Sequence, residues 1–145
     1  MGELELKELF VSRSRAVAAR VSLAADEAEA KRIVADDRAN LGESNVGVVQ
    51  AALGIAETGT CVVETDGEEE RLATMLPEAN IILLRTANIV RRISEIGRYL
   101  RERQIGGKVS YTSLITGPSR TADIERVGAI GVHGPLDVHI ILMEG

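Results

Sequence analysis

Leu6, Leu9, Phe10, Arg13 and Val17 recur near helical spacing, and the stretch from Glu27 to Leu41 is Ala-rich, charged and free of proline. The first forty residues therefore read as helix. Ser22 or Asp26 is placed to cap the second helix and Gly42 to end it. From Val46 the pattern changes to short apolar runs bounded by glycine and polar turns. Val46 to Val49 and Gly59 to Thr65 read as strands, Gln50 to Ala56 as a short helix or turn, and Asp66-Gly67 as a turn. Ile81 to Leu84 is apolar at every position, the pattern of a strand buried on both faces. Ala87 to Arg103 predicts a helix with Ile89, Ile93, Ile96 and Leu100 as its stripe, ended by Gly106-Gly107. Val109 to Thr116, a segment near Ile124 to Val132, and Leu136 to Met143 read as further strands.

Strands alternating with helices predict an α/β fold: a mostly parallel sheet with flanking helices. The last two strands, joined by a tight turn, are expected to give it an antiparallel edge at the C-terminus. The expected organisation is one domain over residues 1–145, with residues 1–45 as a helical N-terminal part and residues 46–145 as the core. No internal repeat, low-complexity tract or linker interrupts it.

Composition narrows the chemistry. The chain has 145 residues, is 45% hydrophobic and carries a formal net charge of −5. That is enough apolar material for a core without covalent staples. No apolar run approaches the roughly 20 residues of a membrane span, and Met1-Gly2-Glu3 does not open a secretory leader, so a cytoplasmic location is expected. A single cysteine, Cys61, excludes an internal disulfide and any all-cysteine cluster held by one chain. Two histidines, His133 and His139, leave little for zinc. Phe10, Tyr99 and Tyr111 are the only aromatics, too few to stack nucleobases. Between Arg85 and Arg103 six arginines face Glu95 and Glu102, which makes this segment +4 and leaves −9 to the rest of the chain. A solvated helix face accounts for it better than a nucleic-acid surface.

Three polar stretches carry candidate chemistry. In Ala56-Glu57-Thr58-Gly59-Thr60 a carboxylate, a glycine and two hydroxyls stand at the entrance to a strand. Glu57 is a candidate acid/base, with Thr58, Gly59 and Thr60 as ligand donors; the alternative is a plain turn with Gly59 at positive φ. Gly54 and Gly59 are followed by Thr60 rather than by Lys, so this is no P-loop. Gly117-Pro118-Ser119-Arg120-Thr121-Ala122-Asp123 leaves the end of an apolar strand, where open α/β sheets hold ligands. The backbone at Gly117, the hydroxyls of Ser119 and Thr121 and the fork of Arg120 suit a carboxylate or phosphate, with Asp123 orienting Arg120 or accepting from a substrate hydroxyl. The alternative is a rigid turn set by Pro118 and tied by an Arg120–Asp123 pair. In Gly131-Val132-His133-Gly134-Pro135, His133 is a second acid/base candidate and Gly134 allows close approach; a simple hairpin turn is the alternative. His139, inside an apolar strand, reads as structural.

Thr116-Gly117-Pro118-Ser119-Arg120-Thr121-Ala122-Asp123-Ile124-Glu125, followed by Gly131-Val132-His133-Gly134-Pro135 and a last apolar strand, closely resembles the lactate-utilisation protein C family, the LUD domain. Ile55-Ala56-Glu57-Thr58-Gly59-Thr60, Arg71, Leu76-Pro77 and Ile89-Val90 match its remaining landmarks in the same order. The resemblance implies a fold similar to the NagB/RpiA/CoA-transferase-like group and a role with iron–sulfur partner proteins in oxidising L-lactate to pyruvate. It also implies no cofactor on this chain alone, with iron–sulfur clusters only in the partners. The chain departs from the family in a compressed stretch before the Ala56-Glu57-Thr58-Gly59 motif, so one wall of a pocket is expected either to be missing or to come from a second copy. It departs again at Leu136-Asp137, where a basic residue is usual. Two other readings remain open here: a non-catalytic module that docks a partner through the same loops, and an enzyme handling CoA or sugar phosphates by fold analogy.

Overall fold

The computed structural model describes residues 2–42, 45–65, 79–105, 111–118 and 137–144. The expected strand near 124–132, the turn at 66–67 and the helix end at 106–107 lie outside them. In chain order the elements are α1 (Glu3–Ala16), β1 (Arg20–Ala24), α2 (Glu27–Leu41), β2 (Val46–Gln50), β3 (Leu53–Ile55), β4 (Thr60–Thr65), β5 (Ala79–Arg85), β6 (Ile89–Val90), α3 (Ile96–Ile105), β7 (Tyr111–Ile115) and β8 (Asp137–Met143).

Among the described residues two four-stranded sheets form. The first has the order β1-β8-β5-β2 and is parallel throughout. The second, β6-β3-β4-β7, is mixed: β3 pairs parallel with β6 and antiparallel with β4, which pairs antiparallel with β7. The α/β fold with a parallel sheet and flanking helices is thus as expected. The antiparallel edge is not where it was expected, because β8 has parallel neighbours on both sides and lies inside the first sheet. An apolar run with both faces covered belongs in a sheet interior, and β8 is buried at every position from Val138 to Met143.

The layers follow from strand alternation. Ile82 and Leu84 of β5 with Val138, Ile140 and Leu142 of β8 face Cys61 and Val63 of β4, and Phe10 of α1 packs into this central layer. On the opposite face of the parallel sheet, Ile81, Ile141, Met143 and Ala24 meet Ala30, Ile33 and Val34 of α2. Outside the mixed sheet, Ile55 and Val62 pack against Ile96 at the start of α3. Each fully buried Ile or Leu contributes about 1.5–3 kcal/mol by leaving water.

Three local expectations give way, and one choice left open is settled. Residues 20–24 form a strand between the two helices, since α1 ends at Val17 and Ala18 takes a positive φ of 73° that turns the chain. Asp26, not Ser22, caps α2: its side chain accepts from the backbone N–H of Glu29, and Gly42 ends the helix at φ 64°. Leu53–Ile55 is a strand rather than a helix or turn. The helix expected from 87 to 103 is broken into a 3-10 turn at Thr86–Asn88, strand β6, a second 3-10 turn at Ile93–Glu95, and α3. The cause is local: Glu95 accepts hydrogen bonds from the backbone N–H groups of both Arg91 and Arg92, 2.8 Å each, which stops helix before Ile93.

Candidate functional site

The turn before β4 and the chain leaving β7 meet at one end of the mixed sheet. Cys61 pairs with Ile115, so Thr60 and Thr116 come next to each other one step further along. Their hydroxyls are 2.6 Å apart, and Thr60 in turn is 2.7 Å from the hydroxyl of Thr58. Thr60 is buried, Thr58 and Thr116 are exposed, and the three make a hydroxyl chain that runs from solvent to interior and out again. Each hydroxyl has one proton and two lone pairs, so such a chain can orient toward either a donor or an acceptor.

Backbone geometry fixes the approach. Gly59 holds φ at 67°, with its N–H bonded to the Ile55 carbonyl at 2.9 Å. A Cβ there would stand 2.6 Å from the Ser14 nitrogen of α1. Gly117, at φ 65°, would place one 2.1 Å from the Val17 carbonyl oxygen. Both glycines therefore let the two motifs lie against the end of α1, a contact that no other residue permits at either position.

Glu57 flanks this end. Its N–H bonds the Arg91 carbonyl at 3.0 Å, and its carboxylate lies 3.7 Å from Arg91 Nε and 3.5 Å from Arg92 Nε. Sequence reasoning missed the two arginines because it placed them on a continuous helix face; the acidic Glu95 three residues on was the available signal for a break. The structure brings together Glu57, Thr58, Gly59, Thr60 and Gly117 of the expected site residues, and adds Thr116, Arg91 and Arg92. Ser119, Arg120, Thr121, Asp123, His133 and Gly134 lie outside the described residues.

Elsewhere, Cys61 is fully buried between the sheets, and burial pushes its thiol up to about 12. His139 is buried in β8 as a structural residue should be, and it has specific polar company. Its Nε2 lies 2.7 Å from Ser22 Oγ, and its Nδ1 lies 2.9 Å from Asp37 Oδ2, an ion-pair distance without hydrogen-bond alignment. Arg20 donates to both oxygens of Asp37, at 2.8 and 3.2 Å, and to both oxygens of Asp137, at 3.1 and 2.5 Å. The hydrogen bonds to Asp137 and then Asp37 raise the Arg20 guanidinium pKa further. Burial alone works to raise the Asp37 carboxyl, but the hydrogen bonds from Arg20 and the close approach of His139 outweigh it and hold it below the usual carboxylate value. Among the described residues no three His, Cys, Asp or Glu side chains are grouped to hold a metal ion. Among them, too, no helix is long and apolar enough to cross a membrane.

The family model described as LUD domain matches residues 35–143 of the chain. Among curated proteins, the uncharacterized protein YkgG of Escherichia coli (strain K12) is 35% identical over 104 residues, 70% of this chain and 45% of its own length. Lactate utilization protein C of Geobacillus thermodenitrificans is 34% identical over 103 residues, 70% of this chain and 43% of the relative. Lactate utilization protein C of Bacillus subtilis is 33% identical over 104 residues with the same shares. The chain thus spans less than half the length of these relatives. Among solved structures, a DUF162 family protein from Deinococcus radiodurans shares the fold with a TM-score of 0.70 over 99% of both chains, at 17% identity.

Proposed function

Because the chain belongs to the LUD domain family, we propose that it serves lactate utilisation, as a subunit that binds a small carboxylate or phosphate while iron–sulfur partners carry the electrons of L-lactate oxidation to pyruvate. The supporting observation is the hydroxyl chain Thr58–Thr60–Thr116, which joins the 57–60 turn to the start of the Gly117–Asp123 segment. Hydroxyl donors and the arginines beside Glu57 are the groups that recognise a small anion. Ser119, Arg120 and Thr121 follow Gly117-Pro118 and add to this donor set by sequence. Glu57 is engaged by Arg91 and Arg92, so its first role in this reading is to hold those cations at the site. His133 is the remaining acid/base candidate. In a cytoplasmic complex this chain would bind and position, and its buried Cys61 would take no part in electron transfer.

Thermal-shift titrations with L-lactate, pyruvate and inorganic phosphate test this, repeated on Arg120→Ala. A ligand at 100 times its Kd raises stability by about 2.7 kcal/mol. The expected result is a saturable upward shift with at least one of the three anions that is lost in Arg120→Ala. Equal shifts in both proteins remove the arginine clamp, and no shift with any of the three overturns the anion-binding reading.

A further inference from the structure

The polar cluster beneath α2 lies on the parallel sheet and takes no part in the hydroxyl chain of the mixed sheet. The geometry points to Ser22 as a second, independent reactive centre: a serine nucleophile toward small carboxylic esters, with His139 as its base and Asp37 as the residue that positions the base.

The register places the three groups together. Arg20 pairs with His139 and Ser22 with Ile141 between β1 and β8, so residues 20, 22, 139 and 141 share the face that α2 covers. Asp37 comes from the later half of α2. With a carboxylate oxygen 2.9 Å from Nδ1, a bare lone pair on that nitrogen would be repelled, so Nδ1 carries the ring proton. The neutral ring then has its lone pair on Nε2, 2.7 Å from Ser22 Oγ, and the serine O–H donates to it. This is the polarity a general base needs toward a hydroxyl. Arg20 grips both oxygens of Asp37 and keeps the carboxylate charged and oriented. His139 and Asp37 are buried while Ser22 is only partly so, which makes Ser22 the member of the three nearest to solvent.

A donor for the developing oxyanion is close by. β1 is the outer strand of its sheet among the described residues. The Val21 carbonyl accepts from Arg15, and the Ala24 carbonyl accepts from the Glu144 N–H beyond β8. Strand alternation therefore turns the Ser22 carbonyl toward β8 and the Leu23 N–H toward the open edge. The N–H of the residue after a nucleophile is a recurrent oxyanion donor.

In the step, Ser22 Oγ bonds to the acyl carbon and its proton passes to His139 Nε2. The ester C–O bond then breaks, and the imidazolium returns the proton to the leaving alkoxide. Water repeats the sequence on the acyl-serine to release the acid.

The test is a fluorophosphonate probe on the full chain, with the adduct mapped by peptide mass spectrometry. Oγ would displace fluoride from phosphorus and form a phosphonyl-serine. The expected adduct is on Ser22 in the native protein, absent in urea and in Ser22→Ala, and slower on the order of tenfold or more in His139→Gln. In Asp37→Asn labelling of Ser22 should slow several-fold and recover at least in part in Asp37→Glu; an unchanged rate in Asp37→Asn would remove the positioning role. Should either variant fail to fold, the unaltered protein still decides. No native adduct at Ser22, or equal labelling of native and unfolded chain, overturns the proposal.

Discussion

The hydroxyl oxygens of Thr60 and Thr116 stand 2.6 Å apart, so the residue that begins β4 and the residue that follows β7 close one end of the mixed sheet with a side-chain bond. Thr60 is 4% exposed and holds both neighbours, Thr58 and Thr116. Thr60→Val keeps the shape and removes the shared hydroxyl, and should cost about 1–3 kcal/mol of stability in urea unfolding. Thr58→Val, at an exposed position, should cost less than about 1 kcal/mol. Equal losses in the two variants would mean that the chain of hydroxyls does not hold this end together.

Gly59 and Gly117 should not tolerate a methyl group. Each combines a positive φ with a would-be Cβ closer than 3 Å to α1 backbone or the turn after it. Left-handed geometry costs roughly 1–2 kcal/mol for a residue with Cβ, and the overlap adds about 1–3 kcal/mol. Gly59→Ala and Gly117→Ala should each lower stability by roughly 2–5 kcal/mol on those terms. Gly42→Ala serves as the control: its φ is 64° but nothing lies within 4 Å of the added atom, so only the backbone term remains. A Gly59→Ala loss no larger than that of Gly42→Ala would remove the close approach to α1.

Much of this was legible in the chain because the signals were local. Ile81 to Leu84 announced a strand buried on both faces, and Glu57, Thr58, Gly59, Thr60 and Gly117 announced polar turns that the fold does bring together at one end of a sheet. What could not be read was set by contacts distant in sequence. Residues 20–24 are a strand because β8, more than a hundred residues later, supplies their partner. β8 itself looked like half of a hairpin and is instead flanked by β1 and β5, a choice no local pattern encodes. The isoleucine stripe from Ile89 to Ile96 fitted a helix by spacing, yet Ile89 belongs to β6 beside β3 and Ile96 to the start of α3. Glu95, bonding two backbone N–H groups, overrides the periodicity. His139 read as structural, and its burial agrees, but Ser22 and Asp37 reach it only through the tertiary fold.

Cys61 should be chemically silent in the folded protein. It lies fully buried in the layer between the sheets, and burial pushes its thiol up to about 12. At pH 8 roughly one molecule in ten thousand then carries the thiolate that reacts. A disulfide-exchange reagent should find no reactive thiol in native protein and one per chain in urea. Rapid native labelling at Cys61 would show that the two sheets separate on the timescale of the reaction.

The acid limb of stability should depend on Asp37. Its carboxyl is depressed because the hydrogen bonds from Arg20 and the close approach of His139 outweigh a burial effect of opposite sign. A carboxylate with a depressed folded value stabilises the native state fully above its unfolded value, near 3.9, and loses that contribution as pH falls through the folded value. Removing one partner of a buried charge pair costs about 3–5 kcal/mol; Arg20 here has 45% of its side chain exposed, so about 2–3 kcal/mol is expected for Asp37→Asn at pH 7. As pH falls below the unfolded value and through the depressed folded value, the gap should narrow, because the original carboxyl then becomes protonated as well. Urea midpoints for both proteins between pH 2 and pH 8 measure this. Two parallel curves across that range would mean that the Asp37 charge makes no net contribution to holding α2 on the sheet.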